Sequence, residues 1–180
     1  MSQRFQRFGP FALVIGVAAT LLVGTVLAKS QPPSSDVTET IARFTKADPS
    51  LEKDLKAAAA YAVYPSVKKA GLGIGGARGT GQLIQNGEAI GKTGLSQVSI
   101  GLQAGGQAYA ELLIFETEKA VANFQSGKFA FGAQATAVAV KSGAAANAKF
   151  ADGIKVLTMA NGGLMYEASV GGQKFSYDPY

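Results

Sequence analysis

The stretch that looks most like a piece of chemistry is NGEAIGKTG at 86–94, with its Gly91-Lys92-Thr93. A nucleotide-binding phosphate loop ends in Gly-Lys-Thr/Ser. It also needs a glycine five positions before that last glycine, and it must open a helix whose N-terminal amides hold the phosphate. Here Asn86 occupies the required position and Gly87 stands one residue too close. An alternating, strand-like pattern follows Thr93. The run therefore reads as a glycine-rich connection between strands, with Lys92 at most an extra contact for an anionic group. Gly71-Leu72-Gly73-Ile74-Gly75-Gly76 fits the dinucleotide spacing G-x-G-x-x-G, yet it too runs into strand-like residues, Gln82-Leu83-Ile84. Glycines of this kind let strands bend or approach another backbone closely.

The chain has no histidine and no cysteine. That removes Ser-His-Asp and Cys-His catalysis, ordinary zinc sites, disulfides and acylation on a cysteine. Paired carboxylates are not evident. Glu111, inside an otherwise apolar run, reads as a buried carboxylate paired with Arg78 or a lysine. The structural ion pair is the commoner case and a proton-transfer residue the sharper one. No cofactor or metal is expected, and no enzyme activity. Five cations cluster loosely around the start of the strand region: Lys53, Lys56, Lys68, Lys69 and Arg78. They fit either a solvated face, since Glu52 and Asp54 are interspersed, or a surface for anionic lipid headgroups.

The elements that would position these residues change character along the chain. Residues 1–28 have a short basic start, Arg4 and Arg7, then the apolar run Phe11 to Ala28, with Val26 and Ala28 at small-residue cleavage positions. This order predicts a secretory signal peptide, or an N-terminal anchor if it is not cleaved. The exported part is then only mildly basic, which does not indicate nucleic-acid binding, and few aromatics are available for base stacking. Residues 29–36 read as a linker around Pro32-Pro33. Val37, Ile41 and Phe44 share a helical face, and Asp48-Pro49 ends that helix. Ser50 then caps a second helix, with Leu51, Leu55, Ala58 and Ala62 in its stripe, that ends before Pro65. From Gly71 the apolar period falls to two. Tyr109 to Phe115 is apolar on nearly both faces and so predicts a central strand. Further strands are expected at Phe129 to Val140, as a hairpin of Ile154 to Met159 and Leu164 to Val170 across Asn161-Gly162, and at Phe175 to Tyr177 after the Gly171-Gly172 turn. Thr117 caps a short inserted helix that Gly127 closes.

The expected class is α+β. N-terminal helices (within 37–70) pack on an antiparallel sheet of about seven strands (within 71–180), either open or curled into a barrel or sandwich, with one short inserted helix.

Three stretches together carry a family resemblance: KKAGLGIGGARGTGQLI (68–84), GLSQVSIGLQAGGQAYAELLIFETEKAVANFQSGKFAFGAQATAVA (94–139) and GGLMYEASVGG (162–172). In that order, a glycine-rich R-G-x-G start, a G-x-x-x-G-G-Q strand pair, an acidic-Ala-Val-x-x-Phe helix and a late hairpin, the chain resembles the SYLF domain in its exported bacterial branch. The resemblance implies a non-enzymatic module that binds membrane lipids. It implies anionic phospholipids as the partner, and the basic cluster Lys53, Lys56, Lys68, Lys69 and Arg78 is the surface expected to attract their headgroups. Eukaryotic members also bind phosphoinositides and actin. The signal segment, and the lack of an obviously basic N-terminal actin-binding segment, point away from actin. The expected location is the periplasm, secreted or peripheral at a membrane. The competing expectation is an envelope structural or adhesion protein working through protein–protein contacts.

Overall fold

A computed structural model describes residues 29–132, 136–140, 148–161 and 168–180; the expected signal segment, 1–28, lies outside them. Helix α1 (Ser35–Ala47) and helix α2 (Leu51–Ala57) come first. Two long strands follow, β1 (Ala60–Gln85) and β2 (Glu88–Phe115), then α3 (Glu118–Gln125), β3 (Thr136–Ala139), β4 (Ile154–Ala160), β5 (Ala168–Ser169) and β6 (Gln173–Pro179).

The Asp48-Pro49 break holds, but Ser50 caps α2 differently from the expected way. Its side chain makes no cap bond. Instead the buried Asp48 carboxylate accepts from the Ser50 amide at 3.1 Å and from its hydroxyl at 2.7 Å. The second helix is also shorter than its apolar spacing suggested. Strand β1 begins at Ala60, so Ala62 and Pro65 lie in a strand. The helical stripe was misleading because alanine fits either period, while β1 needs Ala60, Ala62 and Tyr64 on one face of the sheet.

Strands β1 and β2 form one long antiparallel hairpin, from Ala60↔Phe115 to Gln85↔Glu88. Its turn is Asn86-Gly87, with φ of 53° and 82°. Positive φ at both central positions is what a type I′ turn requires. The stretch that resembled a phosphate loop is thus the turn and first rung of a hairpin. Lys92 sits inside strand β2, opposite Gln82 and Asp178, and not in a loop.

The hairpin bends over itself. A Cβ placed at Gly81 would collide with the Val63 carbonyl oxygen, and one at Gly79 would meet the Val67 side chain at 2.9 Å. Register shifts at Tyr64/Val67 and Gly71/Gly73 mark where the ladder slips. Glycine is needed where two legs of one strand approach backbone to backbone.

Strand β2 is central, as its double-sided apolar pattern predicted. Tyr109 to Phe115 are all buried. One edge of β2 pairs with β1; the other pairs with β6 over Gly91 to Gln97 and with β4 over Tyr109 to Phe115. The sheet is mixed, not purely antiparallel, because β3 runs parallel to β4. Six strands are named among the described residues, in the path β1-β2-β4-β3-β5 with β6 on β2, and the ends of that path do not pair to close a barrel. The expected long strand at Phe129 to Val140 is described as strand only over Thr136–Ala139. Its Ala130 and Phe131 bond the start of β6. In place of a hairpin partner for β4, β5 pairs with β3; residues 162–167 lie outside the described set. The turn at Gly171-Gly172 leads into β6 as expected, with Gly172 at φ 76°.

Two cores result. The inner one joins Tyr64, Leu83, Leu95, Leu113, Phe115, Val156 and Phe175 with Ala120, Val121 and Phe124 of α3. Thr117 caps α3 through the Ala120 amide at 3.2 Å, and Gly127 follows it at φ 67°. The outer core seats Val37 and Phe44 of α1 and Leu51 of α2 against Val63, Ile84, Ala110, Leu112, Ile114 and Leu157. The apolar stripe of α1 is therefore spent on the sheet. Two polar ties fix the helices. Lys155 of β4 reaches Asp54 of α2 at 2.7 Å, and Arg43 of α1 reaches Asn161 at 2.9 Å, which in turn donates to the Pro65 carbonyl at 3.0 Å.

Candidate functional site

Helices α1 and α2 cover only part of the outer face of the bent sheet. On the uncovered part, alternation sends every second side chain outward. Arg78 of β1, Ser96 of β2 and Lys174 of β6 are in register, as are Thr80, Gly94 and Ser176 one rung further along. Their neighbours Ala77, Leu95, Gln97, Gln173 and Phe175 point inward and are buried. The first leg of β1 closes the side with Ser66 and Lys68. The result is an open cleft of about 460 Å³ lined by the two outward rows with Ser66, Lys68, Gly79, Leu95 and Phe175. It carries three cations, four hydroxyls and no carboxylate. Among the described residues no ion pair engages Lys68, Arg78 or Lys174.

This donor set has the chemistry to hold an anion. A guanidinium offers a planar fork of donors and a lysine a mobile point charge. Serine and threonine hydroxyls supply further donors, and the buried Leu95 and Phe175 form an apolar floor that weakens screening from below. A second cleft continues from the first, sharing Ser66, Thr80, Gly94 and Ser176. It runs toward Ser34 and Asp36 at the start of α1, and toward Lys92, Asp178 and Tyr180. Gln82 fixes that end by donating to the Tyr180 hydroxyl at 2.6 Å.

Of the five cations singled out in the sequence, the fold brings together Lys68 and Arg78. Lys69 points to the other face, opposite Gln107. Lys53 and Lys56 lie on α2 in a separate shallow hollow with Pro49, Glu52 and Ala57, and Lys56 pairs with Glu52 at 3.6 Å. Lys174 was missed. The alternation Lys174-Phe175-Ser176-Tyr177 signalled which way it points, but only the β2–β6 register puts it beside Ser96.

Glu111 does not pair with Arg78 or a lysine. It is fully buried on the inner side, and its carboxyl accepts from Gln173 Nε2 at 3.0 Å. The same Gln173 amide reaches the Tyr109 hydroxyl at 3.3 Å. Burial pushes the Glu111 carboxyl up to about 8, against the smaller opposing pull of its bonds to Gln173 and Tyr109. Burial likewise raises the Tyr64 and Tyr109 hydroxyls. Arg78 stands on the opposite side of the sheet, which is why the expected pair does not form. A neutral carboxyl bridging β2 to β6 acts as a structural tie under the cleft, since Gln173 is the immediate neighbour of Lys174.

Residues 96–179 match the family model Ysc84, described as Las17-binding protein actin regulator. Over these residues the chain is similar to the Ysc84 family. The match bears out the SYLF resemblance over these residues, and the family's description is that of a binding protein. No curated protein matches the chain. The matched region supplies Ser96, Lys174 and Ser176 to the cleft, along with Glu111 and Gln173 beneath it. Lys68 and Arg78 come from β1, which precedes the matched residues. The candidate site is therefore assembled across that boundary by the β1–β2 hairpin.

Proposed function

We propose that the protein is a non-enzymatic module of the bacterial cell envelope that binds anionic phospholipid headgroups. The observation that carries this reading is the row Arg78–Ser96–Lys174, faced by Lys68, in a cleft without a carboxylate. Each cation near an anionic surface contributes about 1 kcal/mol at moderate salt. The cleft cations are consequently the main contacts. Lys53 and Lys56, on an exposed helix face beside Glu52, add a weaker and more strongly screened attraction. Lys92, between Gln82 and Asp178, contributes little.

An exported location follows from the apolar run at Phe11 to Ala28 and remains part of the proposal. It would place the cleft against envelope lipids and away from actin. The burial of Val37 and Phe44 of α1 against the sheet supports binding at the headgroup level in preference to insertion of apolar side chains. Vesicle co-sedimentation tests the reading. Phosphatidylglycerol vesicles should pellet the protein in a salt-sensitive way, and phosphatidylcholine vesicles should not. Equal pelleting with both, or with neither, would sink it.

A further inference from the structure

We infer that the cleft selects a terminal phosphate, that is a phosphomonoester, over the bridging phosphate of a diester. This rests on the headgroup reading above and narrows it. Three cations converge on one small cleft that holds no carboxylate to offset them. A phosphodiester brings a single negative charge and two non-bridging oxygens. A phosphomonoester brings a charge approaching two and three strong acceptor oxygens.

The donor set matches the richer acceptor. Arg78 and Lys174 are two strands apart, about 9–10 Å between backbones, so their long side chains can close on one group from both sides. The Ser96 hydroxyl lies between them on the floor, and Thr80 and Ser176 stand on the next rung. Lys68 approaches from the overhanging leg of β1, which limits the room for a second ester substituent on that side. The adjoining cleft toward Tyr180 shares Thr80, Gly94 and Ser176 and leaves a path for the single substituent of a monoester. A lipid and a soluble ester share this phosphate chemistry, so the test includes both.

Vesicles of phosphatidylcholine doped with equal mole fractions of phosphatidic acid or of phosphatidylglycerol are titrated with the purified protein. Glycerol 3-phosphate and glycerophosphoglycerol serve as soluble competitors and as calorimetric titrants. The expected result is about fivefold tighter binding to phosphatidic acid, the worth of roughly one additional charge contact. Glycerol 3-phosphate should compete and the diester should not. Arg78→Ala and Lys174→Ala should each move the ratio toward one, while Lys174→Arg keeps it; thermal melts confirm that the variants fold. Equal affinity for the two vesicle types overturns the inference and leaves headgroup binding standing. Binding of glycerol 3-phosphate with no binding to either vesicle supports the phosphate preference and removes the lipid reading. No binding in any arm overturns both.

Discussion

Arg78 and Lys174 flank Ser96 on a single cross-strand row, although 95 positions of sequence separate the two cations. Neither lies near the other in the chain, and each owes its position to a different strand pairing with β2. If this row is the anion contact, its cations should outweigh those of α2. Arg78→Ala or Lys174→Ala should weaken binding to phosphatidylglycerol vesicles by roughly fivefold, about 1 kcal/mol each. The double change Lys53→Ala/Lys56→Ala should cost less than either. Co-sedimentation at two salt concentrations measures this, and a larger loss from the α2 pair would relocate the site.

Glu111 makes stability pH-dependent in a direction opposite to most carboxylates. Its ordinary value is 4.5, and burial raises it to about 8 in the folded protein. The folded state therefore holds this proton more tightly than the unfolded chain. The resulting stability is fully present below 4.5 and is lost as pH rises through about 8. Glu111→Gln keeps a neutral side chain of the same shape and removes the dependence. Urea unfolding at a series of pH values between these limits should show a flatter slope for the variant, with a difference on the order of a few kcal/mol at the alkaline end. Parallel slopes would show that the carboxyl does not carry this linkage.

The bend of the hairpin depends on Gly81 more than on the glycine of its turn. A methyl group at Gly81 meets the Val63 carbonyl and the Tyr64 ring, whereas one at Gly87 meets nothing within 4 Å. Gly87→Ala then pays only for its positive φ, about 1 kcal/mol. Gly81→Ala forces two legs of β1 apart and should cost more than about 2 kcal/mol, a fall in Tm of several degrees for a chain of this size. Equal Tm losses would mean that the legs separate easily.

Phe124 anchors α3 in the inner core. Its ring lies 4.9 Å from Phe115 and 5.4 Å from Phe175, centroid to centroid. Phe124→Ala should destabilise by about 3–5 kcal/mol through the lost contacts and the cavity left behind. Because Phe175 adjoins Lys174, the same change should loosen the cleft floor and weaken vesicle binding at temperatures where the protein is still folded. Unchanged binding would show that β6 is held independently of α3.

Much of the architecture was legible locally. The period of 3.6 placed α1, with Val37 and Phe44 on its buried face. The double-sided apolar run marked Tyr109 to Phe115 as central, and Thr117 with Gly127 bounded α3. Local reading failed where a residue type suits two structures. The alanines around 58–62 continue a helical stripe but lead into strand β1 from Ala60, and the hairpin turn is Asn86-Gly87, just ahead of the Gly-Lys-Thr that resembles a phosphate loop. Three of the five basic residues, Lys53, Lys56 and Lys69, were likewise sequence neighbours of the site and not spatial ones.

The sequence by itself determined the chemistry that is possible here. With neither histidine nor cysteine, and with cations and hydroxyls on alternating strand positions, the chain can present an anion-binding surface and little classical catalysis. Period-two alternation also decided that Arg78, Ser96 and Lys174 point opposite to Ala77, Leu95 and Phe175. Only the tertiary structure decided that these three meet. Strand register between distant segments is set by how whole faces bury against a shared core, and no local pattern encodes it. The same cause separated Arg78 from Glu111: the sheet lies between them, one side facing solvent and the other a packed interior where a carboxyl keeps its proton.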